Sequence, residues 1–376
     1  MKIAVVHNLR PGGAKRVLYE QVKILSKNHT LDIYTFKSSG DKYFPLKNLV
    51  RNYYEIDYNY PEHFPKSVLS IYRQLPKAYR KMAELINPGN YDLAYVFPCF
   101  LTQAPFVLRY LKIPSVYFCA EPKREFYEKI PRVSNNFTYK ITYPFRYYLK
   151  KIDFDNMQKA DLVLTLSKYN KQNIEKFYSK KSTVINMGVN TRIFYPINIQ
   201  KENMILSVGN LTLLKGHDFV IKCISHLPKI KRSKLIIVGF GGNEEIYLTD
   251  LAKKLEVELE IINSPNDEML NKLYNKASLL VFAAHREPFG LVVLEALAAG
   301  LKVLAVGEGG VPEILTKKSP ENPVKRDEKV FSQVLEEELN KKDDKKSMML
   351  RRHYVTVNWN WENSVKQLEK ILVRFQ

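Results

Sequence analysis

Cysteine is scarce in this sequence, which has three among its 376 residues: Cys99, Cys119 and Cys223. An odd number of scattered cysteines without metal-ligand spacing excludes a disulfide framework and indicates reduced thiols in a cytoplasmic protein. No apolar run approaches the roughly 18 residues that a transmembrane helix needs, and the first apolar stretch is too short for a secretory signal. Hydrophobic residues make up 45% and charged residues 26%, which excludes wholesale disorder, and the length predicts two domains.

Acidic residues are few in the first half of the chain. Residues 1–195 carry 32 basic and 15 acidic side chains, a net charge of +17, whereas the remaining 181 residues carry 27 and 24, a net charge of +3. Such an asymmetry predicts a polyanionic partner for the first half: nucleic acid, an anionic membrane surface or a phosphate-bearing substrate.

Apolar strands alternate with helical segments along the whole chain, which predicts an α/β fold with two doubly wound parallel sheets. The boundary is expected near Tyr195-Pro196, and an amphipathic helix is expected at the carboxyl terminus. The predicted strands are 1–7, 31–36, 91–97, 113–119, 160–167, 203–210, 234–239, 257–262, 278–283 and 302–306. The predicted helices are 14–27, 101–111, 216–227, 244–255, 267–276 and 290–299.

The segment HREPFGLVVLEALAAG (285–300) combines a tight loop with the start of a helix. Free amides at Phe289, Gly290 and Leu291, together with the helix dipole, suit a phosphate. Glu287 in the loop and Glu295, eight positions later, can both reach a ligand held there, and carboxylates bind sugar hydroxyls well. On the residues alone, a surface helix with an incidental acid at each end remains the alternative.

Six collinear segments carry a resemblance. The spacing of Glu287 and Glu295 resembles the E-x7-E motif of retaining GT-B glycosyltransferases, and EPFG…LEALAAG is similar to glycosyltransferase family 4. The other matching segments are VHNLRPGGAKRV (6–17), ADLVLTLSKYN (160–170), GVNTRIFYP (188–196), SVGNLTLLKG (207–216) and GEGGVPEIL (307–315). The resemblance implies GT-B architecture, with two Rossmann-like domains facing a cleft: 1–195 for the acceptor, 196–350 for the donor, and 351–376 as a helix packing back on the first domain.

The resemblance also implies roles for individual residues. Lys215 would contact the diphosphate of a nucleotide-sugar donor as a point charge, and Glu287 would hold the transferred sugar; these two are the expected catalytic residues. Glu295 would bond the ribose, and segment 262–265 would lie near the nucleobase. The expected donor-binding residues are Gly12, Gly13, Asn210, Asn263, Ser264, Phe289, Gly290, Leu291 and Glu295. Taken singly, Lys215 also fits a solvated loop lysine, and Gly12-Gly13 an ordinary turn.

The chain departs from the family pattern at two donor positions. Asn210 stands where the family usually has an arginine, so a cation for the leaving diphosphate must come from elsewhere, and Arg10, Lys15 and Arg16 are candidates. Phe240, in VGFGG, stands where an acidic residue is common. The details of the donor pocket are therefore expected to differ from the family pattern.

The segment YFCAEPKREFYE (117–128) resembles one found in family members that act on lipid-linked acceptors, although the family's histidine is Ala120 here. Glu121, Lys123 and Arg124 are the expected acceptor-binding residues, with a structural turn held by a salt bridge as the alternative. Asp153-Phe154-Asp155 matches a metal-binding Asp-x-Asp pattern, but it lies in a helical stretch far from the donor motifs, so no metal site is expected.

Two stretches, 64–82 and 136–151, mix basic and aromatic residues, which suits an anionic membrane surface. A solvated basic face is the alternative, and nucleic acid is not the expected partner. The resemblance implies a retaining hexosyltransferase of the EC 2.4 class, which we expect to be cytoplasmic or peripheral on the cytoplasmic face of the membrane. It would use a UDP- or GDP-sugar as co-substrate, no further cofactor, and a glycan or lipid-linked acceptor. An epimerase-type enzyme on the same fold and a non-catalytic basic binding protein are the alternatives.

Overall fold

The computed structural model describes residues 1–39, 44–61, 63, 66–128, 140–316, 319 and 321–376, and the chain divides into two compact units. Unit 1 comprises Met1–Asn186 and Ser364–Gln376, and unit 2 comprises Met187–Asn363. The boundaries expected at 195/196 and 350/351 therefore both lie inside unit 2. Segment 187–195 packs within unit 2 because Val189 N donates to Trp359 O (3.0 Å) and Arg352 Nη1 donates to Phe194 O (3.1 Å).

Unit 1 is built on a parallel sheet of seven strands among its described residues. The strands are β1 (Lys2–Asn8), β2 (Thr30–Phe36), β3 (Asn52–Ile56), β4 (Leu93–Cys99), β5 (Ser115–Phe118), β6 (Leu162–Thr165) and β7 (Thr183–Val184), in the order β3-β2-β1-β4-β5-β6-β7. The helices are α1 (Gly13–Leu25), α2 (Lys66–Leu69), α3 (Leu75–Ile86), α4 (Arg124–Tyr127), α5 (Tyr143–Gln158) and α6 (Lys168–Tyr178). The central strands are fully buried, as expected for a parallel sheet covered on both faces.

Unit 2 contains a second parallel sheet, with five strands in the part of the chain that is described. They are β8 (Met204–Val208), β9 (Lys234–Gly239), β10 (Leu259–Asn263), β11 (Leu279–Phe282) and β12 (Val303–Ala305), in the order β10-β9-β8-β11-β12. Its helices are α7 (His217–Ser225), α8 (Glu245–Lys254), α9 (Asp267–Lys276), α10 (Leu291–Ala298), α11 (Val311–Ile314), α12 (Glu328–Asn340) and α13 (Lys345–Asn358). From β8 the chain adds β9 and β10 on one side of the sheet and β11 and β12 on the other. The topological switch point, where open α/β sheets bind ligands, therefore lies between β8 and β11.

The last helix, α14 (Trp361–Leu372), begins in unit 2 and continues into unit 1. Within unit 1, Glu369 Oε1 accepts hydrogen bonds from Asn28 Nδ2 (3.2 Å) and pairs with His29 Nε2 (3.1 Å). Gln367 Nε2 donates to Val184 O (3.1 Å) at the last strand of the sheet. These polar contacts, with Val365 and Leu368 buried, fix the carboxyl-terminal end of the chain on unit 1.

The helix predicted at 101–111 is wrong. Cys99 and Gln103 exchange two backbone hydrogen bonds of 2.8 Å, and Gln103 has a φ of 62°, so the chain turns back there instead of entering a helix. Regular structure resumes only as a 3-10 turn at Phe106–Arg109, directly after Pro105. Strands β3 and β7 were not predicted.

Candidate active site

The loops that follow the strands of unit 2 carry most of the predicted donor residues. Because all the strand pairs in this sheet are parallel, the loops after their carboxyl ends lie at one edge. The strand order β10-β9-β8-β11 places the residues along that edge in the order Asn263, Phe240, Asn210 and Glu287. Residues distant in sequence thus line one side of unit 2.

Lys215 and Glu287 form an ion pair, with 2.7 Å between Lys215 Nζ and Glu287 Oε2. The two side chains are 25% and 20% exposed, so the pair is partly shielded yet open to a ligand. The motifs predicted separate roles for these two residues, and the structure brings them into direct contact. An ammonium has three donors, so Lys215 can bind a phosphate oxygen while it still donates to Glu287.

Gly216 holds the Lys215 loop against the loop after β11. It has a φ of 66°, and a Cβ added there would lie 2.0 Å from Ala283 O, so only glycine fits. His285 N donates to Leu214 O (2.8 Å) and joins the same two loops. The Lys215-Gly216 turn therefore packs directly against the loop after β11, which brings Lys215 into contact with Glu287.

The start of α10 is built to present backbone amides. Gly290 precedes it with a φ of 109°, and among the described residues it is not capped by a side chain. The amides of Gly290 and Leu291, together with the positive end of the helix dipole, therefore suit an anion. The Phe289 side chain is buried, with its ring 5.4 Å from that of Trp359, so it anchors the loop, and the donor contact predicted for this residue is one of its backbone amide.

Glu295 lies one turn into α10 and is only 5% exposed. Its Oε2 accepts a hydrogen bond from the hydroxyl of Tyr274 on α9, at 2.9 Å. Tyr274 is fully buried, so its hydroxyl fixes one carboxylate oxygen of Glu295. Sequence reasoning missed Tyr274, because nothing in its own segment marks it.

A second ion pair, Glu308 with Arg326, supports the Glu287 loop. Arg326 Nε donates to Glu308 Oε1 (2.8 Å), while Nη2 donates to Ala283 O (2.8 Å) and Ala284 O (3.0 Å). Glu308 Oε2 accepts from Arg286 N (3.3 Å). Burial opposes ionisation of Glu308, but the hydrogen bond and charge of Arg326, together with the Arg286 amide and His285, outweigh it and hold the pKa of that carboxyl below its usual value. These two residues position the loop that carries Glu287, and the sequence did not predict either.

The turn after β12 packs on the other side of that loop. A Cβ added at Gly309 would lie 2.1 Å from Glu287 O, and Gly310 N donates to that same oxygen at 2.8 Å. The GGVPE segment thus gives the Glu287 backbone a fixed position.

Comparison with known proteins agrees with this geometry. The model of the family Glycosyltransferase Family 4 matches residues 11–193, and that of Glycosyl transferases group 1 matches residues 190–349. Two solved structures align over nearly the whole chain: a sucrose-phosphate synthase from Thermosynechococcus elongatus (TM-score 0.78, 15% identity, 99% of this chain and 98% of that one) and HepE of Anabaena (TM-score 0.74, 15% identity, 99% of each chain). The chain is a GT-B glycosyltransferase of the family 4 type.

Curated relatives of this glycosyltransferase match it over different lengths. An alpha-1,4-N-acetyl-D-galactosaminyltransferase of Campylobacter jejuni is 24% identical over 79% of this chain and 77% of the relative. An uncharacterized glycosyltransferase of Methanocaldococcus jannaschii is 39% identical over 30% of each chain. With that relative, as with several others, the match spans about a third of the relative's length.

The predicted donor residues Asn210, Asn263 and Ser264 are solvent-exposed. Asn210 follows β8, and Asn263 Nδ2 lies 3.4 Å from Glu245 Oε2. Ser264 has a left-handed φ of 49°, and its amide donates to Gly239 O at 2.7 Å. A left-handed φ costs free energy in a non-glycine residue, and such residues occur more often in functional loops.

Unit 1 carries the remaining donor candidates. Gly12 precedes α1, and a Cβ added there would meet no described atom within 4 Å, so this loop leaves room at its surface. Of the cations considered as substitutes for the missing arginine, Arg10 lies over the ring of Phe100 (4.3 Å) and Arg16 over that of Phe44 (5.2 Å). Lys15 is 1% exposed, which makes it the least accessible of the three.

The acceptor candidates of unit 1 bond partly to the loop after β4 and partly to their own segment. Lys123 Nζ donates to Phe100 O (3.2 Å) and Leu101 O (2.9 Å). Arg124 pairs with Glu128, at 3.1 Å, within and just beyond α4. Glu121 is partly buried, and its carbonyl accepts from Gln103 Nε2.

Asp153 of the Asp-x-Asp pattern is fully buried in α5. Its carboxylate accepts hydrogen bonds from Ala104 N (2.9 Å), Tyr127 Oη (3.1 Å) and Tyr178 Oη (2.6 Å). Burial raises the pKa of Asp153 to about 6. Within the described part of the chain, no group of three or more His, Cys, Asp or Glu side chains could hold a metal ion. None of the described helices has both the length and the apolar character needed to cross a bilayer.

Proposed function

We propose that this glycosyltransferase moves a sugar from a nucleotide-diphosphate sugar to a glycan or lipid-linked acceptor, with retention of the anomeric configuration. The observation that carries the proposal is the Lys215–Glu287 ion pair beside the uncapped start of α10. A cation and an amide cluster suit the diphosphate, and the adjacent carboxylate suits the sugar hydroxyls.

The leaving diphosphate is where negative charge develops as the glycosidic bond breaks. Lys215 Nζ and the amides of Gly290 and Leu291 would stabilise that charge from positions the fold already fixes, which lowers the barrier without reorganisation. Glu308 and Arg326 act indirectly, by fixing the loop backbone between Ala283 and Glu287.

Glu287 and Glu295 would orient the donor. Glu287 would accept hydrogen bonds from the sugar, and Glu295, with one oxygen already fixed by Tyr274, would accept from the ribose. In front-side transfer, the acceptor hydroxyl attacks on the face that the diphosphate leaves. Its proton passes to an oxygen of that diphosphate, so configuration is retained and no metal-bound step is invoked.

The relatives support the choice of donor and acceptor classes. HepE of Anabaena was crystallised with UDP-glucose. The full name of the Campylobacter jejuni relative gives its acceptor as GalNAc-alpha-(1->4)-GalNAc-alpha-(1->3)-diNAcBac-PP-undecaprenol, a lipid-linked glycan. We therefore infer a UDP- or GDP-sugar as donor for this chain and a glycan on a lipid as the acceptor class.

A basic, aromatic face of unit 1 supports peripheral contact with an anionic membrane, which would bring a lipid-linked acceptor within reach. The two basic stretches meet in the structure: Tyr72 Oη donates to Phe145 O (2.7 Å), and the rings of Tyr72 and Tyr148 are 5.2 Å apart. Exposed side chains on this face are Leu69, Ile141, Tyr143, Phe145, Tyr147 and Tyr148. Phe64, Pro65 and residues 136–139 of these stretches lie outside the described residues.

The test is transfer of radiolabelled sugar from a panel of UDP- and GDP-sugars to lipid-linked glycans in vesicles, with released nucleoside diphosphate as the second readout. We expect one donor to be consumed and Glu287→Gln to reduce transfer at least 100-fold while Tm is unchanged. The matched control is Glu336→Gln, which removes an exposed ion pair with Lys231 (2.6 Å). We expect this variant to keep its transfer activity. Hydrolysis or isomerisation of the donor without a new glycosidic bond would overturn the proposal.

A further inference from the structure

Phe240 is a large apolar side chain, 41% exposed, at the carboxyl end of β9. Single exposed hydrophobic residues are common on protein surfaces and need no explanation by themselves. The position is what distinguishes Phe240, because it follows the strand that lies between β8 and β10. Its ring therefore lies at the same edge as Asn210 on one side and Asn263 on the other.

The loop that carries Phe240 is held rigidly. Leu211 N donates to Gly241 O (2.7 Å), and Leu211 O accepts from Asn243 N (3.0 Å) and Glu244 N (3.1 Å). A Cβ added at Gly242 would lie 2.1 Å from Leu211 O, so the loop sits directly on the chain that follows Asn210. The ring is thus exposed on a fixed backbone.

The other side of Phe240 is fixed by the segment after β10. Ser264 N donates to Gly239 O at 2.7 Å, directly before Phe240, and Ser264 holds a left-handed φ of 49°. Asn263 and Ser264 are both exposed, so their hydrogen-bonding side chains are available in the loop next to that of Phe240. A planar apolar surface beside amide and hydroxyl groups matches a nucleobase, which has a π-face and a polar edge.

We propose that Phe240 is the stacking surface for the nucleobase of the donor, with Asn263 and Ser264 beside its polar edge. The inference rests on the proposed function and assigns a specificity-determining residue within it. Lys215 lies in the loop after β8, and α10 begins after β11. The strand order therefore separates the proposed base site, at β9 and β10, from the proposed diphosphate site. An acidic side chain at position 240 offers no such ring.

The experiment measures dissociation constants of UDP, GDP and inorganic pyrophosphate for the full chain by calorimetry. Loss of base–aromatic stacking weakens binding by roughly 5- to 150-fold, so we expect Phe240→Leu and Phe240→Asp to weaken binding of the preferred nucleotide about fivefold or more, while pyrophosphate binding is unchanged. Ile230→Ala is the matched control, because Ile230 is 95% exposed in unit 2 but precedes β9. It should alter neither constant.

Phe240→Trp supplies a direct signal for stacking. We expect it to retain nucleotide binding and its added fluorescence to be quenched by the preferred nucleotide but not by pyrophosphate, with the Ile230→Ala background subtracted for Trp359 and Trp361. If wild type binds nucleotide and Phe240→Leu binds it equally well, the stacking proposal is wrong and the proposed function stands. If wild type binds neither UDP nor GDP, the proposed function itself fails.

Discussion

The candidate site residues of the two units differ in their bonding partners. In unit 2, residues from separate loops meet each other: Lys215 pairs with Glu287, Tyr274 with Glu295, and Glu308 with Arg326. In unit 1, Lys123 and Arg124 bond to carbonyls and a carboxylate of nearby segments. Unit 2 therefore has a preassembled arrangement of charged side chains, whereas the candidate acceptor residues of unit 1 bond mainly to backbone carbonyls and hold the loop after β5 against the loop after β4.

This difference indicates where the chain tolerates change. A preassembled site stabilises a developing charge at no cost in reorganisation, so its members should be sensitive to conservative substitution. Residues whose bonds mainly hold neighbouring loops together should affect stability more than transfer. The predictions below test that distinction in order of their expected effect on transfer.

The largest effect is expected for Lys215→Met, which keeps the aliphatic stem and removes the charge. We expect kcat to fall at least 100-fold, because stabilisation of the leaving diphosphate is lost, with Tm nearly unchanged. Lys231→Met is the control, since Lys231 makes an exposed ion pair of 2.6 Å with Glu336. Kinetics of nucleoside diphosphate release measure both. Equal rates in the two variants would show that Lys215 is an ordinary loop lysine.

Arg326→Lys tests whether a residue that hydrogen-bonds to Glu308 and to the backbone before Glu287 affects transfer. A single ammonium cannot replace the three hydrogen bonds of this guanidinium, and an unsatisfied buried carbonyl costs about 1–3 kcal/mol. We expect a lower Tm and kcat reduced about tenfold. Arg232→Lys is matched, because Arg232 also holds backbone carbonyls of unit 2, at Leu227 and Leu255 (3.0 Å each), away from the loop of Glu287. That variant should lose stability and keep its kcat; a similar loss of rate in both would make the effect one of stability alone.

Tyr274→Phe should act on donor binding. Loss of the hydroxyl leaves Glu295 with one fewer fixed oxygen, and we expect donor KM to rise about tenfold, equivalent to roughly 1.4 kcal/mol, with kcat little changed. Tyr178→Phe in unit 1 is the matched control, because Tyr178 is also fully buried and donates to a buried carboxylate, Asp153 (2.6 Å). It should lower Tm and leave KM alone. An unchanged KM in Tyr274→Phe would remove Glu295 from the donor site.

The alternation of apolar strands with helical segments predicted the α/β fold, and each of the ten predicted strands overlaps a strand of one of the two sheets. The pattern missed β3, whose sequence NYYEI is half-exposed at the sheet edge, and β7, which is two residues long. Neither has the apolar run that identifies a buried strand. The helix expected at 101–111 failed because apolar residues there serve a turn and a 3-10 segment that packs in the core.

Sequence motifs located Lys215, Glu287 and Glu295, but not the residues that position them. Arg326 lies 39 positions after Glu287 and bonds to backbone carbonyls, a contact that leaves no pattern in the sequence. Tyr274 reads as one more apolar residue of an amphipathic helix, since only the fold shows that its hydroxyl meets a carboxylate. Close approaches such as Gly216 to Ala283 depend on loop geometry, which residue types alone do not define.

The smallest effect on transfer is expected for substitution of Asp153, a buried carboxylate of unit 1 that we expect to affect stability and not transfer. Burial raises the pKa of this carboxyl to about 6 in the folded protein, against 3.8 ordinarily, despite hydrogen bonds from Tyr178, Ala104 N and Tyr127. Between about pH 4 and pH 6 the folded state therefore holds a proton that the unfolded state has released, so stability falls as pH rises through this window and levels off above it.

Asp153→Asn cannot ionise, so its Tm relative to that of wild type should rise from pH 4 to pH 6, by an amount equivalent to a few kcal/mol at most. Transfer at pH 7 should match that of wild type wherever both proteins are folded, because Asp153 is buried away from solvent. Parallel Tm profiles across this range would show that Asp153 keeps an ordinary pKa. A loss of transfer without loss of Tm would instead place this carboxylate in the reaction, and would break the distinction between a preassembled unit 2 and a structural role for the polar groups of unit 1.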